Sequence, residues 1–251
     1  MAHDNRTATP QSVAPETGTA PAGRQPDFAE EVERNHRRFD ADEYDNVYIV
    51  GDVHGCIDEL RQLWDRLAPT DSDLVVFVGD LVRKGPATDA VVEFVRSRSN
   101  AVSVRGNNEA KIIHDRIDTD PFEEIADSVE SFPLVVSVGD ALIVHGGVDP
   151  TSPLAAHTPD DLLEMRSVPP SNGYDGPFWF QSYDGPFQVC FGHTVLDSPF
   201  VTDNAVGLDT GCVYGGSLTA YEYHSGELYS VPAMETYQER SADKILDIAT
   251  E

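Results

Sequence analysis

The segment Val47-Tyr48-Ile49-Val50-Gly51-Asp52-Val53-His54-Gly55 constrains this chain more than any other stretch. Its β-branched apolar run predicts a buried strand, and the strand ends in a small-residue turn carrying an aspartate and a histidine two positions apart. A carboxylate and an imidazole leaving one strand end together suit Mn, Fe or Zn, and suit Ca poorly, because Ca takes oxygen ligands. Gly51 and Gly55 let the backbone approach an ion or a phosphate closely. Alone, the pattern is equally that of a hydrogen-bonded turn. Its weight comes from repetition further along the chain.

From Val47 onward the rhythm is strand, turn, helix. Ile57 to Leu67 sets Leu60, Leu63, Trp64 and Leu67 at helical spacing, Asp73 to Val78 is an apolar strand run, Ala87 to Arg98 is amphipathic, and Ala101 to Val104 is a short strand. Strands alternating with helices predict βαβ units and a parallel sheet covered on both faces. Beyond Ile113 the pattern becomes mostly β. Leu134 to Val138 and Ala141 to Val144, joined by Gly139-Asp140, predict a hairpin. Phe187 to Phe191, Phe200 to Thr202, Ala205 to Leu208, Ser217 to Tyr223 and Leu228 to Val231 predict further short strands. Pro159 to Met165 predicts a short helix, and Val168 to Gly185 a loop rich in Gly, Pro and aromatics. The expected fold is one α/β domain over residues 45–236, a four-layer α/β/β/α sandwich of two mixed sheets with helices outside. Residues 1–26, rich in Ala, Thr, Pro and Gly, are expected to be a disordered tail. Residues 27–44 are expected to form a charged helix and linker, with Asp27 as its N-cap, and residues 237–251 a C-terminal helix.

Each apolar strand is followed by a candidate ligand beside a glycine: Gly79-Asp80, Gly106-Asn107, His145-Gly146-Gly147 and Gly192-His193. In an α/β sheet ligands bind at the carboxyl ends of strands, so Asp52, His54, Asp80, Asn107, His145 and His193 would converge on one crevice. Six N/O ligands around one central carboxylate are what two adjacent divalent ions need. Asp80 would bridge, Asp52 and His54 would serve one ion, and Asn107, His145 and His193 the other. Two ions about 3.5–4 Å apart clamp a phosphate and turn a shared water into hydroxide at neutral pH. Mn, Fe, Zn, Ni and Co are all compatible with these donors. His36, His114, His157 and His224 fall outside the pattern and are expected to be ordinary surface or helix histidines, and Cys56 a small core residue.

Composition narrows the setting. The 251 residues are 40% hydrophobic, which is a globular composition, and 44 acidic against 17 basic residues leave a formal net charge of −27. Such a field repels nucleic acid and anionic membrane and costs compactness through self-repulsion. Screening removes most of that cost, since the Debye length falls to about 3 Å at 1 M salt. The acidity therefore reads as an adaptation to a high-salt cytosol, with an acidic surface for a basic partner as the lesser alternative. Cys56, Cys190 and Cys212 contain no Cys-x-x-Cys pair, which points to reduced thiols in the cytoplasm. No apolar run of about 18 residues is present, so neither a membrane span nor a signal segment is expected.

Taken together, Gly51-Asp52-Val53-His54-Gly55, Gly79-Asp80, Gly106-Asn107, His145-Gly146-Gly147 and Gly192-His193 resemble the phosphoprotein-phosphatase type of calcineurin-like metallophosphoesterases. Leu208-Asp209-Thr210-Gly211-Cys212-Val213-Tyr214-Gly215-Gly216 resembles the closing strand of the bacterial, diadenosine-tetraphosphatase-like branch. The resemblance spans roughly residues 45–231 in the family's order. It implies a two-metal hydrolase of phosphate esters or anhydrides acting by in-line attack of a metal-bridging hydroxide on a small phosphorylated substrate.

The chain also departs from that pattern. Where the family reads Gly-Asp-x-x-Asp-Arg-Gly, this chain has Gly79-Asp80-Leu81-Val82-Arg83-Lys84-Gly85, and where it reads Gly-Asn-His-Glu, the chain has Gly106-Asn107-Asn108-Glu109. Both the histidine that protonates the leaving oxygen in the family and the aspartate that holds it are thus replaced, by Asn108 and Arg83. An amide cannot act as a general acid, whose help is typically worth about 10²–10⁴ in rate, most of all for poor leaving groups. Nucleoside polyphosphates or aryl phosphates are therefore expected as substrates ahead of phosphoserine. Lys84 stands where the family has arginine and Arg166 resembles the family's second phosphate-binding arginine, so the resemblance implies these two as the phosphate-binding cations. Arg83 either adds a contact to a polyphosphate or faces solvent, and Tyr214 either lines the pocket or packs in the core. The rival readings are a Ser/Thr or Tyr protein phosphatase and a catalytically weak, metal-bearing module that binds a nucleotide or phosphoprotein. Oligomeric state is not legible.

Overall fold

The computed structural model describes residues 25–248 of the chain, and all but the last two positions of the expected N-terminal tail lie outside them. The elements run α1 (Glu30–Glu33), β1 (His36–Phe39), β2 (Val47–Val50), α2 (Ile57–Leu67), β3 (Leu74–Phe77), α3 (Thr88–Arg96), β4 (Ala101–Ser103), α4 (Asn107–Ile113) and α5 (Ala126–Glu130). They continue as β5 (Val135–Val138), β6 (Ala141–Ile143), α6 (Pro159–Glu164), β7 (Gln188–Phe191), β8 (Phe200–Val201), β9 (Ala205–Gly207), β10 (Ser217–Glu222) and β11 (Leu228–Pro232). Two mixed sheets result, one of order β11-β10-β2-β3-β4 and one of order β1-β5-β6-β7-β9-β8.

Alternation along the strands explains the layering, because successive side chains leave a strand on opposite faces. Val47 and Ile49 of β2 pack between the sheets with Val76, Val136, Ile143, Cys190 and Val206. Tyr48 and Val50, on the other face, pack against Leu60 and Leu63 of α2 and Val91 and Val95 of α3. The second sheet turns Val135, Leu142 and Val189 outward to Leu162 and Leu163 of α6 and to Trp179 and Phe180. Burying each such side chain contributes about 1.5–3 kcal/mol. The four layers are as expected, although the covering of the second sheet is mostly loop and short turns, with α6 its longest helix among the described residues.

The parallel run β2-β3-β4 and the β5–β6 hairpin at Gly139-Asp140 follow the sequence expectation. Two flanking segments do not. Residues 27–39 hold only a single helical turn, capped at Ala29 and not at Asp27, before the chain becomes strand β1. That strand pairs in parallel with β5, from His36↔Val135 to Phe39↔Val138. The partner lies about a hundred residues away, so the edge it covers leaves no local trace in the sequence. Within residues 237–248 there is one 3-10 turn, Ala242–Lys244, in place of the expected helix. Here the backbone bonds outward: Gln238 N donates to Val213 O (3.0 Å) and Leu246 N to Val195 O (2.9 Å). Those tertiary bonds outweigh a weak helical pattern.

Two histidines placed at the surface by the sequence are structural instead. His157 is buried, its Nε2 accepting from Asp149 N (2.7 Å) while Nδ1 bonds Pro153 O (3.1 Å). His36 packs edge-on against Phe28 and bonds Ser137 Oγ (2.9 Å). All three cysteines are buried thiols, with Cys56 in the core beneath α2 as expected.

Candidate active site

All six candidate ligands come together along the seam where the carboxyl ends of the two sheets meet. Asp52 and His54 follow β2, Asp80 follows β3, and Asn107 begins α4 just after β4. His145 and His193 follow β6 and β7 of the other sheet. All six are buried. Asp80 is central: its Oδ2 lies 3.5 Å from His54 Nε2, and its Oδ1 3.5 Å from His145 Nε2. Ligand atoms of Asp52, His54 and Asp80 fall within 4.8 Å of one another. The Asp52 carboxylate accepts from His193 N at 3.2 and 3.3 Å, and the His145 and His193 rings lie 5.1 Å apart.

The glycines beside these ligands have a steric reason. A Cβ on Gly192 would overlap Asp52 Oδ1, and one on Gly106 would overlap Asp80 Oδ1. Strain gathers at the same place. Among the described residues seven non-glycine residues have positive φ, and His54, Asp80, Arg83, Lys84 and His193 are five of them. Left-handed backbone costs non-glycine residues energy and persists where the surroundings enforce it.

The donor set fits divalent cations. His54 Nδ1 donates to Val82 O (3.1 Å) and His145 Nδ1 to Val78 O (2.9 Å), which turns each Nε2 lone pair toward Asp80. His145 Nε2 is buried with no hydrogen-bond partner among the described residues. Two other imidazole lone pairs already face positive charge: Lys84 Nζ donates to His54 Nε2 (2.7 Å) and Arg166 Nη2 to His193 Nε2 (2.6 Å). Burial, with Lys84 beside it, pushes His54 down to about 3, and burial with Arg166 lowers His193, so both rings are neutral donors. Burial works against ionised Asp80, but the charge of Lys84 and the hydrogen bond from Asn108 N favour the carboxylate, and the carboxyl is held below its usual range. Asp52 is raised by burial and by the Asp209 and Asp80 charges, a penalty that a cation between the carboxylates removes.

Above this centre opens a cavity of about 300 Å³, whose lining includes Arg83, Lys84, Lys111, Arg166 and Arg240. None of these five forms an ion pair with a carboxylate among the described residues. Arg83 therefore faces the pocket. Its Nη1 donates to Asn108 Oδ1 (2.6 Å), so the residues that replace the family's aspartate and histidine are bonded to each other. Tyr214 also lines the pocket. Arg240 donates to the phenol oxygens of Tyr214 (3.0 Å) and Tyr174, and Arg166 stacks on Tyr174 at 4.4 Å.

Lys111 and five further residues were not singled out from the sequence. Glu109 is buried and accepts from the backbone N–H of Asp80 (3.0 Å), Val82 (3.2 Å) and Gly106 (2.8 Å), fixing the turns that carry the ligands. Its position three residues after the Gly106 cap of α4 was the available signal. Burial and the Asp80 charge push its carboxyl up to about 7. Glu164 accepts from Asn107 Nδ2 (3.2 Å), Asp209 lines the pocket beside Lys84, and Tyr174 and Arg240 arrive from irregular segments with no local signature.

The seam of two mixed sheets, with histidines and carboxylates below and a cluster of cations above, defines a metal-assisted hydrolase of phosphorylated compounds. Residues 46–217 match the calcineurin-like phosphoesterase family, and the chain belongs to that family. Membership implies divalent metal ions at this centre. Among curated relatives, bis(5′-nucleosyl)-tetraphosphatase PrpE [asymmetrical] of Bacillus subtilis is 27% identical over 76% of this chain and 96% of its own length. The symmetrical bis(5′-nucleosyl)-tetraphosphatase of Vibrio parahaemolyticus is 24% identical over 75% of this chain and 99% of its own. A crystal structure of a protein provisionally named a diadenosine tetraphosphatase superposes with a TM-score of 0.71 at 29% identity, covering 79% of this chain and 98% of that one. A serine/threonine phosphatase from Saccharomyces cerevisiae, 14% identical with a TM-score of 0.53, shares the fold.

Proposed function

We propose that this protein cleaves a phosphoanhydride bond of a nucleoside polyphosphate, using two divalent ions held by Asp52, His54, Asp80, Asn107, His145 and His193. One observation carries the choice of substrate. A chain of net charge −27, with only 17 basic residues, gathers Arg83, Lys84, Lys111, Arg166 and Arg240 around one pocket, and among the described residues no carboxylate forms an ion pair with any of them. That much local positive charge matches a polyanion better than a single phosphoryl group. The names of the relatives in Bacillus and Vibrio support the same substrate class.

Bound divalent ions would polarise the phosphoryl oxygens and acidify the attacking water. Asp80, with one oxygen toward each of two histidines, is the bridging ligand in this reading. Lys84 and Arg166, the cations nearest the histidine centre, bind oxygens of the phosphoryl group being transferred. Asn108 Nδ2 donates to Asp80 Oδ2 and so steadies the bridge, but an amide supplies no proton to a leaving oxygen. The site therefore favours leaving groups that depart as anions, such as a nucleotide, over a serine alkoxide. Manganese is our first choice of metal for an N/O donor set without thiolates, and the charge of −27 supports a salt-rich cytoplasm as the setting.

The test compares diadenosine tetraphosphate, p-nitrophenyl phosphate and a phosphoserine peptide, with Mn²⁺ in molar salt. Faster turnover of the anhydride and the aryl ester than of the peptide is the expected result. A peptide that turned over best would replace this reading with that of a protein phosphatase.

A further inference from the structure

We propose that Arg83 and Lys111, gathered on the side chain of Asn108, form a second anion position that takes the phosphoryl group next to the one being cleaved. The inference rests on the polyphosphate reading above and adds to it where along the pocket the neighbouring phosphate sits.

The orientation of the Asn108 amide is settled by its partners. Its Nδ2 donates to Asp80 Oδ2 and to Asn107 Oδ1 (3.1 Å), both acceptors, so its Oδ1 must point the other way. On that side Arg83 Nη1 (2.6 Å) and Lys111 Nζ (3.5 Å) both converge on the single oxygen. Two cations thus share one neutral acceptor. Neither forms an ion pair among the described residues of a chain with 44 acidic residues, so no contacting carboxylate offsets their mutual repulsion there. A guanidinium carries five N–H donors, and Arg83 spends one of them here, which leaves its fork free for the bidentate geometry that phosphate accepts.

This placement is built and not accidental. Arg83 is held in left-handed backbone, with φ of 68°, and its N–H donates to Thr88 Oγ1 (2.9 Å) at the start of α3. Lys111 comes from α4, one turn beyond Asn108. The pair stands apart in its partners from Lys84 and Arg166, whose donors rest on His54 and His193. The pocket therefore offers cations at two places, one over the histidine centre and one over the amide. A phosphomonoester engages only the first, whereas a polyphosphate engages both.

The experiment uses the full chain loaded with Mn²⁺, and measures kcat/KM for diadenosine tetraphosphate and for p-nitrophenyl phosphate in the same preparations. For Arg83→Gln and for Lys111→Gln, kcat/KM on the tetraphosphate falls by about tenfold more than on the aryl ester, the size of one charged hydrogen bond. Arg83→Lys recovers part of the difference. Because the readout is a ratio within one preparation, loss of folded protein does not alter it. Equal loss on both substrates, or no loss on either, overturns the proposal. Inhibition of aryl-ester turnover separates it from the substrate assignment: inorganic triphosphate should lose potency in Arg83→Gln far more than orthophosphate does. If the tetraphosphate is not cleaved but triphosphate inhibition still depends on Arg83, the substrate reading fails and the second position stands. If triphosphate and orthophosphate weaken alike, the second position fails whatever the substrate.

Discussion

Glu109 accepts from three buried backbone N–H groups, and its removal should be felt as folding stability. With the N–H groups of Asp80, Val82 and Gly106 left unpaired and buried, Glu109→Ala should lose roughly 3 kcal/mol or more, at about 1–3 kcal/mol per orphaned donor. Glu109→Gln, which keeps one carbonyl oxygen, should lose less. Urea unfolding midpoints decide the point, and an Ala variant as stable as the parent would show that these bonds are replaced. The contrast between Glu109 and the six candidate ligands marks what was legible at this scale. Asp52, His54, Asp80, Asn107, His145 and His193 announce themselves because a ligand beside a glycine at a strand end has a local signature. Glu164, Asp209, Tyr174 and Arg240 gain their places only from contacts between distant elements, which a single sequence does not encode in any window.

Among elements, the βαβ half and the hairpin were readable because burial on two faces leaves continuous apolar runs of strand length. Strand β1 was not, since His36-Arg37-Arg38-Phe39 has only two inward positions and is strand because the free edge of β5 recruits it. That edge carries a pH dependence. Burial, aided by the Arg38 charge and opposed by Glu33, lowers the pKa of His36 in the folded chain. Below the unfolded value of about 6.5 the unfolded chain binds a proton that the folded one resists, so stability present above that pH is lost as pH falls toward the folded pKa. His36→Gln removes this contribution. The stability difference between parent and variant should therefore shrink on going from about pH 7.5 to pH 5.5. A difference that grows on acidification would reverse the sign argued here.

For the molecule as a whole, the charge of −27 and the cationic pocket are two sides of one distribution: negative over the surface, positive where a phosphate must enter. Self-repulsion of the surface should make the melting temperature rise between about 0.1 M and molar KCl, where the Debye length shortens from about 10 to 3 Å. A melting temperature that falls or stays level would remove the case for adaptation to salt. The four-layer architecture was legible because its periodicities are local, whereas the course of residues 237–248 along the pocket wall was not, because their hydrogen bonds go to other parts of the chain. The most direct test of the central claim is the rate of diadenosine tetraphosphate hydrolysis in molar salt by the chelator-stripped protein before and after Mn²⁺ is returned, beside Asp80→Asn treated identically. The expected result is no turnover when stripped, recovery with Mn²⁺, and at least a hundredfold lower rate for Asp80→Asn, on the order of the loss of one well-placed electrostatic group. Full turnover by the stripped protein, or an Asp80→Asn variant as active as the parent, would contradict a metal centre built around Asp80.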